Sequence, residues 1–229
     1  MKHCFRFLLV VVLIAGAQLG VWAASTDDTV ERVRRVVEEV KAKSFPQLRN
    51  TEIIIKLFDS RSDYFQTRFT FTSFLFGKRL KCLMKVNRRL FADDVPEEGL
   101  RAIIAHELGH ALYYQSRNRL KLLGLVGLLN KDFAARFERS TDLKAIALGY
   151  GGGLKTYRRW LYAHIPASKL AEKKRNYFSP EEIGAIELKL RAQPKLLDQW
   201  LRRPPRLLAE IEAATVSRIS FHPLWVWAG

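Results

Sequence analysis

Cysteine is almost missing from this chain of 229 residues. Cys4 lies inside an N-terminal apolar segment with no lipobox around it, and Cys82 is the only other. An internal disulfide in the body of the protein is therefore excluded, and with it the small disulfide-stapled scaffolds. Cys82 sits in an apolar, strand-like stretch and reads as a small buried hydrophobe, not a nucleophile. Carboxylates are scarce too: 23 Asp and Glu face 39 Lys and Arg, a formal charge of +16 and a pI near 10.1. Such a balance favours anionic partners or surfaces without naming one. Internal repeats and low-complexity tracts are lacking, so solenoid and fibrous classes fall away. With 48% hydrophobic and 27% charged residues the chain can bury a core, and its length suits one domain.

Long apolar runs are confined to the start. Lys2 and Arg6 precede an apolar stretch over residues 7–23, the pattern of a secretory signal, with Val21-Trp22-Ala23 favouring cleavage after Ala23 and Ala24 as the second site. The alternative is an uncleaved anchor, since 17 residues reach the short limit of a spanning helix. Removing Lys2 and Arg6 takes the formal charge from +16 to +14. Either reading exports residues 24–229, as one domain, to the periplasm, the cell envelope or the outside. The later run 120–129 is too short to cross a bilayer and reads as a buried connector or a surface dipping into lipid.

Periodicity supplies a coarse map. Val30, Val33, Val36, Val37 and Val40 recur at helical spacing until Phe45-Pro46. Ile53 to Phe58 reads as a strand, and Phe65 to Phe76 with Leu80 to Asn87 reads as a hairpin turning at Gly77-Lys78. Asp94 and Glu97 suggest a capping box that opens a helix reaching about Tyr114. Asn130 is placed to cap a second helix to Leu148, ended by Gly149, and Gly151-Gly152-Gly153 suggests a flexible break. Further helices are expected over 154–163, 168–175, 179–192 (opened by Ser179-Pro180-Glu181-Glu182) and 206–219.

The chemistry concentrates in His106-Glu107-Leu108-Gly109-His110. Histidines four apart lie about 40° from each other around a helix, so both imidazoles reach one metal ion from the same face. Glu107 is offset by about 100°, beside the metal, where it can act on a water without being a ligand. A catalytic zinc ion takes three protein ligands and keeps one position open, which requires a third donor downstream. Glu138 is the candidate, and Asp142, one turn on, is placed to hold a ligand imidazole through its other ring nitrogen.

His106-Glu107-x-x-His110 followed by Glu138-x-x-x-Asp142 resembles the gluzincin metallopeptidases, which include thermolysin-like and CAAX prenyl protease-like members. The resemblance implies that His106, His110 and Glu138 bind one zinc ion, that Glu107 activates the water, and that Asp142 orients a ligand histidine. It implies an α+β, zincin-like fold: a small mixed sheet of three to four strands packed on the active-site helix, with additional C-terminal helices. It also implies an edge strand before that helix to pair with an extended peptide, a place that Leu80 to Asn87 occupies, with Lys81, Lys85, Arg88 and Arg89 as a basic rim. Phe137 stands where thermolysin-like members carry Asn, and Thr141 where small residues are usual.

Peptide hydrolysis also needs an electrophile beside the metal, for which Tyr150, Tyr157 and His164 follow the third ligand at suitable positions. The basic pairs Arg158-Arg159, Lys173-Lys174-Arg175 and Arg202-Arg203 are scattered, a cationic surface more than a nucleic-acid groove. An anionic membrane surface suits them better, with Phe221, Leu224, Trp225 and Trp227 as an interfacial tail. The expectation is a zinc-dependent peptidase acting on peptide or protein substrates in the envelope or outside the cell. The alternative is a catalytically silent zinc-site protein that acts as a binding or membrane-surface module.

Overall fold

The computed structural model describes residues 28–76, 81–116 and 130–215. The N-terminal segment 1–23, the turn at Gly77-Lys78, the run 120–129 and the aromatic tail 221–227 lie outside them. The architecture is α+β and mostly helical, with one small sheet.

Helix α1 (28–44) turns Val33, Val36, Val37 and Val40 inward, as its spacing predicts, and Phe45 buries its ring where Pro46 opens a single 3-10 turn. Strands β1 (Ile53–Phe58), β2 (Phe65–Phe69) and β3 (Cys82–Asn87) make a three-stranded sheet in the order β1-β3-β2, with β3 parallel to β1 and antiparallel to β2. Two expectations change here. β3 is the central strand, paired on both sides, so its backbone offers no open edge. The predicted first arm of the hairpin, Phe65 to Phe76, stops at Phe69, and Phe71–Phe76 forms a short helix, α2. Thr70 and Ser73 cause the turn: Phe74 N–H donates to Thr70 O at 3.0 Å, and Ser73 Oγ donates to Thr70 O while accepting from Lys81 N–H at 2.9 Å. Cys82 is fully buried, and burial pushes its thiol up to about 12, in keeping with a structural role.

Helix α3 (Glu97–Ser116) runs beneath the sheet and is buried on nearly every side, as its apolar sequence requires. Tyr114 fastens it to β2 by donating its hydroxyl to Thr67 O at 3.1 Å. Asp94 does not cap it: that residue adopts φ 53°, and the helix opens at Glu97 with Leu100 N–H donating to Pro96 O. Helix α4 (Lys131–Ala145) is capped as expected, Asn130 Oδ1 accepting from Asp132 and Phe133 N–H, and a wider turn over Ile146–Tyr150 contains the positive φ of Gly149. The three glycines at 151–153 are not a break. They open α5 (Gly151–His164), and Gly153 is there because a Cβ would lie 2.3 Å from Glu98 O of α3.

Helices α6 (Ala167–Asn176), α7 (Pro180–Ala192), α8 (Leu196–Arg202) and α9 (Leu208–Ala213) complete the described chain. Ser179 and Glu182 form the predicted capping box of α7. α8 was not legible in the periodicity. A first apolar cluster joins α1, the sheet, α3 and α5; a second gathers Leu143, Leu154, Ile183, Ile186 and Trp200 from α4, α5, α7 and α8 with Phe178 from the segment before α7. Among the described residues no helix is long and apolar enough to cross a membrane.

Close helix contact at Gly153 predicts that Gly153→Ala lowers unfolding free energy by about 1–3 kcal/mol through overpacking. Gly152→Ala, whose Cβ meets nothing within 4 Å, raises it by about 0.5–1 kcal/mol by restricting the unfolded chain. Denaturant titration of both variants checks the contrast.

Candidate metal centre

Two helices build the centre. α3 presents His106 and His110 one turn apart, and α4 crosses close by because Gly109 leaves space that Thr141 fills, a Cβ at 109 falling 2.9 Å from Thr141 Cγ2. The crossing brings in Glu138. His106 Nε2, His110 Nε2 and Glu138 Oε2 form a triangle with all three sides 3.1 Å. Ligand atoms of a tetrahedral zinc ion at its usual bond lengths stand about 3.3 Å from one another, so the three donors are already at coordination spacing. This is the group able to hold a metal ion among the described residues.

The hydrogen bonds around the triangle fix which lone pairs enter it. His106 Nδ1 lies 2.7 Å from Asp142 Oδ1, and a carboxylate only accepts, so Nδ1 keeps its proton and Nε2, which faces Glu138, is the nitrogen that gives up its proton and turns a lone pair into the triangle when a metal binds. On the other histidine, Thr141 Oγ1 donates to Phe137 O at 3.0 Å and faces His110 Nδ1 with its lone pair at 3.5 Å. That arrangement likewise turns the Nε2 lone pair of His110 inward. Three lone pairs meeting at one point repel unless a cation, proton or metal, sits among them. Phe137 stacks on the His110 ring at 4.9 Å and 27°, which accounts for an aromatic residue at this position.

Asp142 is completely buried and fully engaged. It accepts from His106, from Phe178 N–H at 3.1 Å and from Arg158 Nη2 at 2.9 and 3.2 Å to its two oxygens. Burial works against its charge, but Arg158 and then His106 hold its carboxyl below the usual range. Burial also works against Glu138, and His110 followed by His106 keep it well below that range. For His106 burial alone disfavours the charged ring, yet Asp142 and then Glu138 push it up to about 10.

Glu107 is buried beside the triangle, and its Oε2 has no hydrogen-bond partner among the described residues. It lines a cleft of about 20 Å³ with His106, Tyr157, Arg158 and Tyr177. Across the rim, Lys173 Nζ and Asp63 Oδ1 lie 2.6 Å apart, bridging α6 to the β1–β2 loop. Of the three candidate electrophiles, only Tyr157 lines this cleft. Tyr150 pairs its hydroxyl with Ser44 Oγ at 2.8 Å, and His164 stacks on Trp160 with Nδ1 on Trp160 O.

Sequence reasoning missed Arg158, Tyr177 and Arg139. Arg158 is fully buried, not half of a surface basic pair. Its helical face, shared with Leu154 and Leu161 and not with Arg159, was the available signal. Tyr177 packs between the Arg158 guanidinium at 4.5 Å and the Lys173 ammonium at 5.5 Å, and its ring lies 5.9 Å from His106. Arg139, one residue after the third donor, is also buried. It binds Glu182 at 3.1 Å and the carbonyls of Lys174, Arg175 and Pro205, tying α6, α7 and the 204–206 segment to α4. Three of the four residues of the predicted basic rim are neutralised locally, Lys81 by Glu52, Arg88 by Asp59 and Arg89 by Asp93, while Lys85 lies on the outer face of β3.

Comparison with protein-family models, with curated proteins and with solved structures finds no match to this chain.

Two outcomes follow from the proton and the carboxylate at His106. With a folded value near 10 against 6.5 for the free ring, His106 stabilises the metal-free protein fully below pH 6.5, and that contribution is lost as pH rises toward 10. Its melting temperature should fall across that window, and metal added at pH 8 should release about one proton, counted by calorimetry in buffers of different ionisation enthalpy. Uptake with no proton release contradicts the arrangement. Asp142→Ala should weaken metal affinity about 10- to 100-fold, measured by competition with a chromophoric chelator; unchanged affinity removes Asp142 from its supporting role.

Proposed function

We propose that this chain is an exported, zinc-dependent peptidase with a minimal gluzincin-type, zincin-like core. One observation carries the reading: two imidazole nitrogens and a carboxylate oxygen converge at 3.1 Å, with Oε2 of the buried Glu107 left without a hydrogen-bond partner among the described residues beside them. Two histidines and one glutamate are a donor set suited to catalytic zinc, leaving one position for water or substrate. Bound there, zinc would supply Lewis acidity to a water molecule and to the scissile carbonyl.

The protein's own groups do the rest. His106 and His110 hold their ring nitrogens in place through Asp142 and Thr141. Glu107 takes the proton of the attacking water and delivers it to the leaving amine. Tyr157 and Tyr177 line the same cleft, and burial raises the pKa of both phenols. They stay protonated and can donate to the negative charge that develops on the substrate oxygen. Because β3 is paired on both sides, β2 replaces it as the strand along which an extended peptide aligns. The signal-like apolar sequence at 1–23 supports export, with the periplasm, the envelope or the medium as the place of reaction.

A silent zinc-site protein is the second reading, and the narrowness of the cleft under the Lys173–Asp63 pair favours it. Substrate has to part that pair before it can approach Glu107. The two readings separate on one substitution. Under the peptidase reading, Glu107→Gln lowers kcat on a quenched fluorescent peptide about 10²- to 10⁴-fold while leaving one metal ion bound, whereas Glu138→Ala loses the metal. A parent protein that binds zinc and cleaves nothing, or a Glu107→Gln variant as active as the parent, overturns it.

A further inference from the structure

The sheet has a second face. Ile53, Ile55, Cys82, Met84, Val86 and Phe65 point inward to the core, and Tyr114 of α3 packs edge-on against Phe69 on that side. The alternate residues point outward, in rows set by the register: Ile54, Leu83 and Arg68 in one, Lys56, Lys85 and Gln66 in the next. None is acidic. Lys56 and Lys85 stand directly opposite each other, a cross-strand placement that like charges disfavour. The carboxylates at the two ends of β1 are already engaged, Glu52 with Lys81 at 2.7 Å and Asp59 with Arg88 at 3.4 Å. Lys85 leans over the Phe58 ring at 6.0 Å.

Beside these rows runs an open groove of about 510 Å³ between the sheet and α2, with Ile54, Lys56 and Leu83 on its floor and Phe76 on its wall. Phe76 is 86% exposed, the most exposed large apolar side chain among the described residues. A cationic, solvent-open face with an outstanding phenyl ring at its margin matches the boundary between lipid headgroups and acyl chains. The two residues between the basic positions, Ile54 and Leu83, are aliphatic and give bases nothing to stack on, so the face suits lipid better than nucleic acid.

We propose that the outer face of the sheet is a docking surface for an anionic lipid bilayer, with Lys56, Arg68 and Lys85 at the phosphates and Phe76 inserted at the headgroup boundary. The phosphates supply the negative charge that the opposed lysines lack. α3, which carries His106 and His110, packs against the other side of the sheet, so docking leaves the metal centre uncovered. The proposal does not rest on the peptidase reading.

The test is co-sedimentation of the full chain with vesicles of phosphatidylcholine alone and with about one-third phosphatidylglycerol. Binding should be stronger to the anionic vesicles and fade with salt. Lys56→Glu with Lys85→Glu should weaken the anionic component at least about tenfold, Lys56→Gln with Lys85→Gln severalfold, and Phe76→Ser severalfold. Arg191→Glu with Lys195→Glu changes the net charge equally elsewhere and should have little effect. Circular dichroism confirms that each variant folds, and the glutamine pair retains the test if the glutamate pair does not. Equal losses in both charge-reversed pairs, no preference for anionic vesicles, or a face that loses binding to single-stranded RNA and not to lipid overturns the assignment.

Discussion

Everything in the centre depends on a buried chain of charge running from Arg158 through Asp142 to His106. A carboxylate with no exposed surface is costly unless all its lone pairs are used, and Asp142 meets that condition with donors from three elements. Arg158 comes from α5, His106 from α3, and the Phe178 amide from the segment that enters α7. The three are locked to α4 at one point. Buried ion pairs add little to net stability compared with apolar packing, but a broken one is heavily penalised, so such a network selects one arrangement against others. Here the arrangement selected fixes the His106 ring with its Nε2 toward Glu138.

The backbone makes that network reachable. Gly109 lets Thr141 press against α3, and Gly153 lets α5 lie against Glu98 O. A Cβ at either place would press on the helix that carries Glu138 and Asp142 or on the one that carries Arg158. Arg139 then draws α6 and α7 onto the same helix, so Tyr177 and Phe178 arrive where the cleft and Asp142 need them. Glu107, Asp142 and Glu182 are buried, so fewer carboxylates remain to offset the 39 Lys and Arg of the chain.

What the sequence disclosed followed from helical geometry. A four-residue spacing places His106 over His110 and Glu138 over Asp142 whatever the rest of the chain does, and the Asn130 and Ser179 caps are local as well. Sheet order was not legible. β3 carries apolar residues on its inner face and Leu83 on its outer, a pattern shared by an edge strand over a groove and a strand paired twice, and only β1's parallel pairing decides between them. Phe71, Phe74 and Phe76 fit alternation or a helical turn equally, and Thr70 with Ser73 tips the balance through hydrogen bonds that composition does not reveal. Arg158 looked like half of a surface pair because its burial depends on α5 crossing α3. The glycines at 151–153 looked like a hinge for the same reason.

Convergence of His106, His110 and Glu138 on one ion implies a specific set of coordinating atoms, and X-ray absorption spectroscopy of the zinc-loaded protein reads it directly. Four nitrogen or oxygen donors at about 2.0–2.1 Å, with the multiple-scattering signature of two imidazoles, are expected. A shell containing sulfur, a six-coordinate all-oxygen shell, or a shell with fewer than two imidazoles would contradict the convergence of His106, His110 and Glu138 on one ion.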